Sequence, residues 1–123
     1  MDAEDLRRIL ALLADYGRTL DQNLWAEHMQ LYADDARLLV FGKEYVGREQ
    51  IEQFMRKTHR GHHLTGVPSI EFDGDRARAH SDYIFFRENL LYSAGSYADE
   101  FARGLGGWRL ATRKIDIRFR ATE

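Results

Sequence analysis

The sequence predicts an α+β fold: a cone-shaped barrel in which N-terminal helices are packed inside a strongly curved, antiparallel or mixed sheet. Three observations predict it. Helical periodicity fills the first part of the chain, period-two alternation fills the second, and along the longest alternating run the residues of one face change from small to large. Leu6, Ile9, Leu10, Leu13, Tyr16, Gly17 and Leu20 follow the 3.6-residue period, so residues 3–20 should form an amphipathic helix. Trp25, Met29 and Tyr32, spaced by four and three, predict a short helix over residues 24–32 that ends in the polar turn Ala33-Asp34-Asp35. Residues 37–41 read as a strand. Gly47 precedes a third helix over residues 48–58, with Ile51, Phe54, Met55 and Thr58 on one face and an Arg48–Glu52 pair at i,i+4.

From His62 onward the period is two. Ser69 to Phe72 is a strand, Asp73-Gly74-Asp75 a turn, and Arg76 to Phe86 a long strand. On that strand Ala77, Ala79, Ser81, Tyr83 and Phe85 share one face, while Arg76, Arg78, His80 and Asp82 share the other; the change from alanine to aromatic implies a tapering interior. Strands over residues 94–103 and 108–119 follow, joined by the glycine-rich turn 104–107. With a single proline and no repeat or low-complexity tract, no linker is visible, and residues 1–123 read as one domain.

Composition narrows the function classes. Seven Phe, six Tyr and two Trp in 123 residues supply enough apolar surface to offset the entropy of folding, which excludes a disordered tail. Eighteen Lys and Arg against twenty Asp and Glu give a net charge of −2, with no segment basic enough to neutralise phosphates, so nucleic acid is not an expected partner. The absence of cysteine removes disulfides, thiolate nucleophiles and sulfur-based zinc sites, and points to the cytoplasm. An acidic start, Met1 to Asp5, and an apolar stretch broken by charges give neither export signal nor membrane anchor. Phosphate loop, Gly-x-Ser-x-Gly elbow and His-Glu-x-x-His motif are all missing.

Candidate chemistry begins on the first helix. Asp15 falls opposite the apolar face and should be solvated, whereas Tyr16 lies on one edge of that face and Asp21 near the other. Both can look into the space between helix and sheet; alternatively Asp21 caps the second helix, although Leu24 in place of Glu or Gln gives a capping box no support. His59, His62 and His63 form the second candidate group. His59 and His63 have the spacing of a helical metal pair, but Gly61 weakens a helix there and no carboxylate completes a ligand set, so no metal is expected. On a strand, His62 and His63 point to opposite faces and only one can enter an interior. Tyr83 and Tyr97 lie on predicted strands, as core residues or as phenols facing a cavity. Arg109, Arg113, Lys114, Arg118 and Arg120 read as a solvated strand face, with Arg118 the one placed to turn inward near a strand end and meet a substrate anion.

Four stretches then carry a resemblance. Tyr16 to Asp21 followed by Trp25, Phe41 to Ile51 with Gly47-Arg48-Glu49, Gly61 to Gly66 before Pro68, and Ala94 to Asp99 through Gly107-Trp108-Arg109 resemble, together, the SnoaL-like family of the nuclear-transport-factor-2-like superfamily over nearly the whole chain. The pattern is most similar to the cofactor-free lyases of that superfamily, the scytalone dehydratase, bile acid dehydratase and hexachlorocyclohexane dehydrochlorinase types. That resemblance implies an Asp-His dyad falling on Asp21 and His63, a hydrogen-bonding tyrosine at Tyr16 and a C-terminal arginine at Arg118. The second histidine of scytalone dehydratase has no counterpart, because Ser81 rather than His80 falls near it, and the C-terminal extension that covers the pocket in several such lyases is not present by Glu123.

The resulting expectation is an apolar conical pocket in which His63 removes an activated proton, Asp21 orients the ring, Tyr16 donates to the oxygen that gains charge, and Tyr83, Tyr97 and Arg118 contact substrate, with no cofactor. Elimination of water or another small group follows, or isomerisation if the proton returns elsewhere. The aromatic interior suits a hydrophobic ring-containing molecule such as a steroid, polyketide or terpenoid. Three other readings stay open: a polyketide cyclase, a ligand-binding or assembly subunit without activity, and a structural dimer domain. By resemblance a homodimer or homotrimer is expected, with no membrane partner.

Overall fold

The computed structural model describes residues 2–122; Met1, at the head of the acidic start, and Glu123, at the chain end, lie outside the described residues. Within them the order is α1 (Ala3–Asp21), α2 (Trp25–Gln30), β1 (Tyr32–Val40), β2 (Lys43–Val46), α3 (Gly47–Arg56), β3 (His62–Thr65), β4 (Ser69–Asp73), β5 (Arg76–Arg87), β6 (Leu90–Gly104) and β7 (Gly107–Arg120). The strands form one curved sheet in the order β2-β1-β7-β6-β5-β3, with β4 also paired to β5. All pairs are antiparallel except β1 with β7, so the α+β reading holds and the sheet is mixed.

Helix α1 forms because its apolar period places Ile9, Leu13, Tyr16 and Leu20 in a buried stripe, and because Asp2 caps its start by accepting from the Asp5 amide at 2.8 Å. Leu12 joins that stripe, whereas Leu10, predicted to lie on it, sits exposed at its edge. The stripe packs on Ala77, Ala79, Phe101 and Leu110 of the sheet, together with Leu38 from β1 and Ile51 from α3. At the other end of β5, Tyr83 and Phe85 join Tyr92 and Tyr97 in a second cluster. The predicted taper is therefore real: alanines admit the helix at the narrow end, and aromatics stand apart at the wide end.

Two ties fix α1 against the sheet. Near its start, Asp5 Oδ1 accepts from Trp108 Nε1 at 3.0 Å and from Arg103 at 2.8 Å, which holds the carboxyl below its ordinary range. The other tie, at Asp21, belongs to the candidate site. No described helix is long and apolar enough to cross a membrane.

Several local expectations are corrected. Ala33-Asp34-Asp35 is not a turn but part of β1, carried by an irregular stretch of the β1–β7 pairing between Tyr32 and Arg37. Lys43–Val46, unpredicted, pairs with β1 as a hairpin closed by the left-handed pair Phe41-Gly42. Arg48 does not pair with Glu52, which is taken by Arg56; its guanidinium instead donates to the Tyr32 carbonyl and pairs with Asp34.

Phe101 is fully buried beneath α1. Phe101→Ala should cost about 3–5 kcal/mol of unfolding free energy by denaturant titration. Leu105→Ser, in the fully exposed β6–β7 turn, should change it by no more than about 0.5 kcal/mol.

Candidate active site

The C-terminal end of α1 meets β3 through a single carboxylate. Asp21 Oδ2 accepts from the backbone N–H of His63 at 2.9 Å, and Oδ1 lies 2.5 Å from His63 Nδ1. The two side chains are 11% and 15% exposed. Both oxygens of Asp21 are thus engaged by one residue, and the N-cap position of α2 is Leu24, with no side-chain hydrogen bond, so Asp21 is not a helix cap. A carboxylate against Nδ1 fixes the proton there in the neutral ring and leaves the Nε2 lone pair as the ring's acceptor.

Two glycines make this approach possible. A Cβ on Gly17, one turn before Asp21, would stand 3.3 Å from the His63 Cβ. At Gly61, two residues before His63, a Cβ would fall 2.0 Å from the Phe86 carbonyl oxygen, where β3 closes on β5. Strand alternation then turns His63 inward against the Phe85 ring, 4.4 Å between centroids, and His62 outward into solvent.

His63 lines a cavity of about 270 Å³ at the wide end of the cone. Tyr16, Tyr83 and Tyr97 line it too, with Leu20, Phe54, Met55, Phe85, Ile115 and Ile117. Tyr83 stacks on Tyr97 at 4.7 Å and shares a 2.8 Å hydrogen bond with Ser93. His59 also reaches the cavity, while His80 is exposed and Ser81 buried, as the alternation of β5 requires. Among the described residues no three His, Asp or Glu side chains gather as metal ligands would.

Arg118 is not in this cavity. Its side chain is 67% exposed and pairs with Asp116. The β6–β7 register passes from Gly95↔Ile117 to Ala94↔Phe119, leaving Arg118 as the extra residue of a bulge. That bulge reverses the alternation, and Arg120 reaches the cavity instead.

An earlier skip in the same register, at Ala111, turns Arg113 from the expected solvated face into the interior. Arg113 is 1% exposed and forms a bidentate pair with fully buried Asp99, at 2.7 and 2.9 Å. Its guanidinium lies 4.0 Å from the centroid of Tyr16 and 3.7 Å from that of Tyr97, a cation held between two cavity-wall rings. Below them His28 is fully buried. Thr19 Oγ1 donates to the Asp15 carbonyl at 2.7 Å, so it accepts from His28 Nδ1 at 2.8 Å, and His28 Nε2 accepts from the Tyr32 hydroxyl at 3.0 Å. Burial, with a smaller contribution from the Arg113 charge, lowers the His28 pKa from 6.5 to about 4. Sequence reasoning missed all three groups. Asp99 alone had a signal, since it shares the inward parity of Tyr97 and Phe101.

His28 titrates lower in the folded chain than in the unfolded one, so its contribution is complete above about pH 6.5 and is lost as pH falls toward 4. His28→Asn should therefore remove a loss on the order of 3 kcal/mol from the stability-against-pH curve over that window. Asp99→Leu should cost about 3–5 kcal/mol by leaving a buried cation unpaired, and Asp99→Leu with Arg113→Met should recover much of it in thermal unfolding.

Residues 1–114 match the SnoaL-like domain model. No curated protein sequence matches the chain. Among solved structures, a cystatin-like protein of unknown function from Nostoc punctiforme is similar at 22% identity over 95% of this chain and 93% of its own, with a TM-score of 0.87. A provisionally assigned scytalone dehydratase of Novosphingobium aromaticivorans has 18% identity over 96% and 87%, with a TM-score of 0.81. LinA has 19% identity over 100% and 95%, with a TM-score of 0.82. These structures share the cone and its curved sheet. With the family model spanning all but the last residues of β7, the chain belongs to the SnoaL-like domain family.

Proposed function

We propose that this protein is a cofactor-independent lyase, eliminating water or another small leaving group from a hydrophobic, ring-containing molecule, or an isomerase using the same first step. The observation that carries this reading is the Asp21–His63 pair at the wall of an otherwise apolar cavity. With Nδ1 committed to Asp21, Nε2 takes a proton from a carbon beside a carbonyl or comparably activating group, and Asp21 stabilises the imidazolium. The C–H electrons become the new double bond, the adjacent C–O bond breaks, and the proton on Nε2 leaves with the hydroxide as water. In the isomerase outcome that proton returns to a different carbon. Tyr16, whose ring lies against the Arg113 cation, donates to the oxygen that gains charge. Tyr83 and Tyr97, stacked on each other, form one aromatic wall beside the substrate ring.

Cavity dimensions support a compact substrate. At about 270 Å³ the site lies at the small end of ligand pockets, which run from roughly 300 to 1,000 Å³, and suits a bicyclic or tricyclic body better than a whole steroid. Likeness of fold to the Novosphingobium structure supports loss of water as the first reaction to test.

Hydroxylated polyketide, terpenoid and steroid compounds should be screened for loss of water, followed by chromatography, with wild type, His63→Ala and Asp21→Asn. On any substrate found, His63→Ala should lower kcat/KM by about 10²–10⁴ and Asp21→Asn should lower it in the same direction, with both variants folded by circular dichroism. Equal turnover by all three proteins would refute the dyad.

A further inference from the structure

The proposed chemistry uses the depth of the cavity and leaves its mouth unexplained. Two cations stand there, Lys57 just beyond α3 and Arg120 at the end of β7, both exposed and both lining the cavity. Among the described residues no aspartate or glutamate lines the cavity, and neither Lys57 nor Arg120 is ion-paired. The charged side chains that the described residues place at the rim are therefore cationic, above walls that are almost wholly apolar.

Arg120 is also held in place. Its guanidinium lies 5.2 Å from the centroid of Phe41 and 5.9 Å from that of Tyr92. Phe41 is 53% exposed and has φ of 56°, a left-handed conformation that side chains other than glycine rarely adopt. Its ring leans on Phe54 at 6.4 Å, so this β1–β2 turn presents an aromatic face at the rim instead of burying it. The bulge at Arg118 is what delivers Arg120 to this position. An arginine held against aromatic rings by cation–π contact still has N–H donors to offer an anion.

From this arrangement we infer that the substrate is amphipathic: an apolar ring body that enters the cavity and an anionic tail, carboxylate or phosphate, that stays at the mouth between Lys57 and Arg120. The tail sets orientation, because it fixes which end of the ring system reaches His63. Inside the cone an anion would give up its water against walls that are mostly apolar, whereas at the rim it keeps its water and gains two cations. This inference rests on the reading of the cavity as a substrate site, and it does not require the dyad to be active.

The test is binding of three probes with one ring body: 2-naphthoate, 2-naphthyl phosphate and the neutral methyl 2-naphthoate, measured by calorimetry on wild type, His63→Ala and Lys57→Met/Arg120→Met. In wild type and His63→Ala the better of the two anions should bind about tenfold more tightly than the ester, with an advantage that shrinks as salt is raised. Which anion binds better identifies the tail. The double variant should lose the advantage and bind the ester as wild type does, and each single substitution should lose part of it. Equal affinity of ester and anions in wild type, or an advantage unchanged in the double and single variants, would overturn the inference. Absence of the anion advantage in wild type strikes the rim site alone, whereas unchanged turnover in Asp21→Asn and His63→Ala strikes the dyad alone.

Discussion

The contact on which the architecture of the site depends is the two-pronged hold of Asp21 on His63. One carboxylate oxygen takes a backbone N–H of β3 and the other takes the ring, so a single side chain fixes both where the strand runs and how its histidine is turned. Charge-assisted hydrogen bonds of this kind are worth about 1.5–3 kcal/mol each when shielded from water. Their position matters more than their strength. α1 is tied to the β6–β7 hairpin at Asp5 and to β3 at Asp21, and the space left between the second tie and the far wall of the sheet is the cavity.

That division of the cone follows from side-chain volume along one strand. At Ala77 and Ala79 the sheet lets Ile9 and Leu13 approach closely, and the narrow end is solid. Two and three two-residue repeats further along the strand, Tyr83 and Phe85 hold the walls apart. Rigid rings then need support from behind, which the Asp99–Arg113 pair supplies by placing a flat cation between Tyr16 and Tyr97. A buried ion pair is an expensive way to fill space compared with apolar side chains, so its retention here fits a role in setting the electrostatics of the wall.

How much of this the sequence revealed depended on whether one period governed the stretch concerned. Ile9, Leu13, Tyr16 and Leu20 obey the helical period, and Ala77 through Phe85 obey the strand period, so α1, β5 and the opposite orientations of His62 and His63 follow from counting, while the choice of His63 as the inward one comes from the family resemblance. Parity fails on β7, where extra residues at Ala111 and Arg118 each reverse the alternation beyond them, so that Arg113 leaves the expected solvated face for the interior and Arg120, not Arg118, reaches the cavity. A bulge leaves no mark in composition, because it is set by the neighbouring strand. His28 was invisible for a different reason. Its partners Thr19 and Tyr32 come from α1 and β1, and a single histidine on a six-residue helix carries no period at all. Asp21 and His63 stand out through the resemblance carried by their neighbours Tyr16-Gly17 and Gly61-His62; a side chain at Gly61 would collide with the Phe86 carbonyl, and one at Gly17 would crowd His63.

Whether His63 is built as a base comes down to which ring nitrogen carries the proton in its neutral form. Nitrogen-15 NMR of the histidine rings, with the His63 signals assigned by their absence in His63→Ala, reads this directly. Protonation of Nδ1 with an unprotonated Nε2, reversed or mixed in Asp21→Asn, is the result expected from the carboxylate contact. A proton on Nε2 in the wild-type ring would leave no acceptor facing the cavity and would contradict the account.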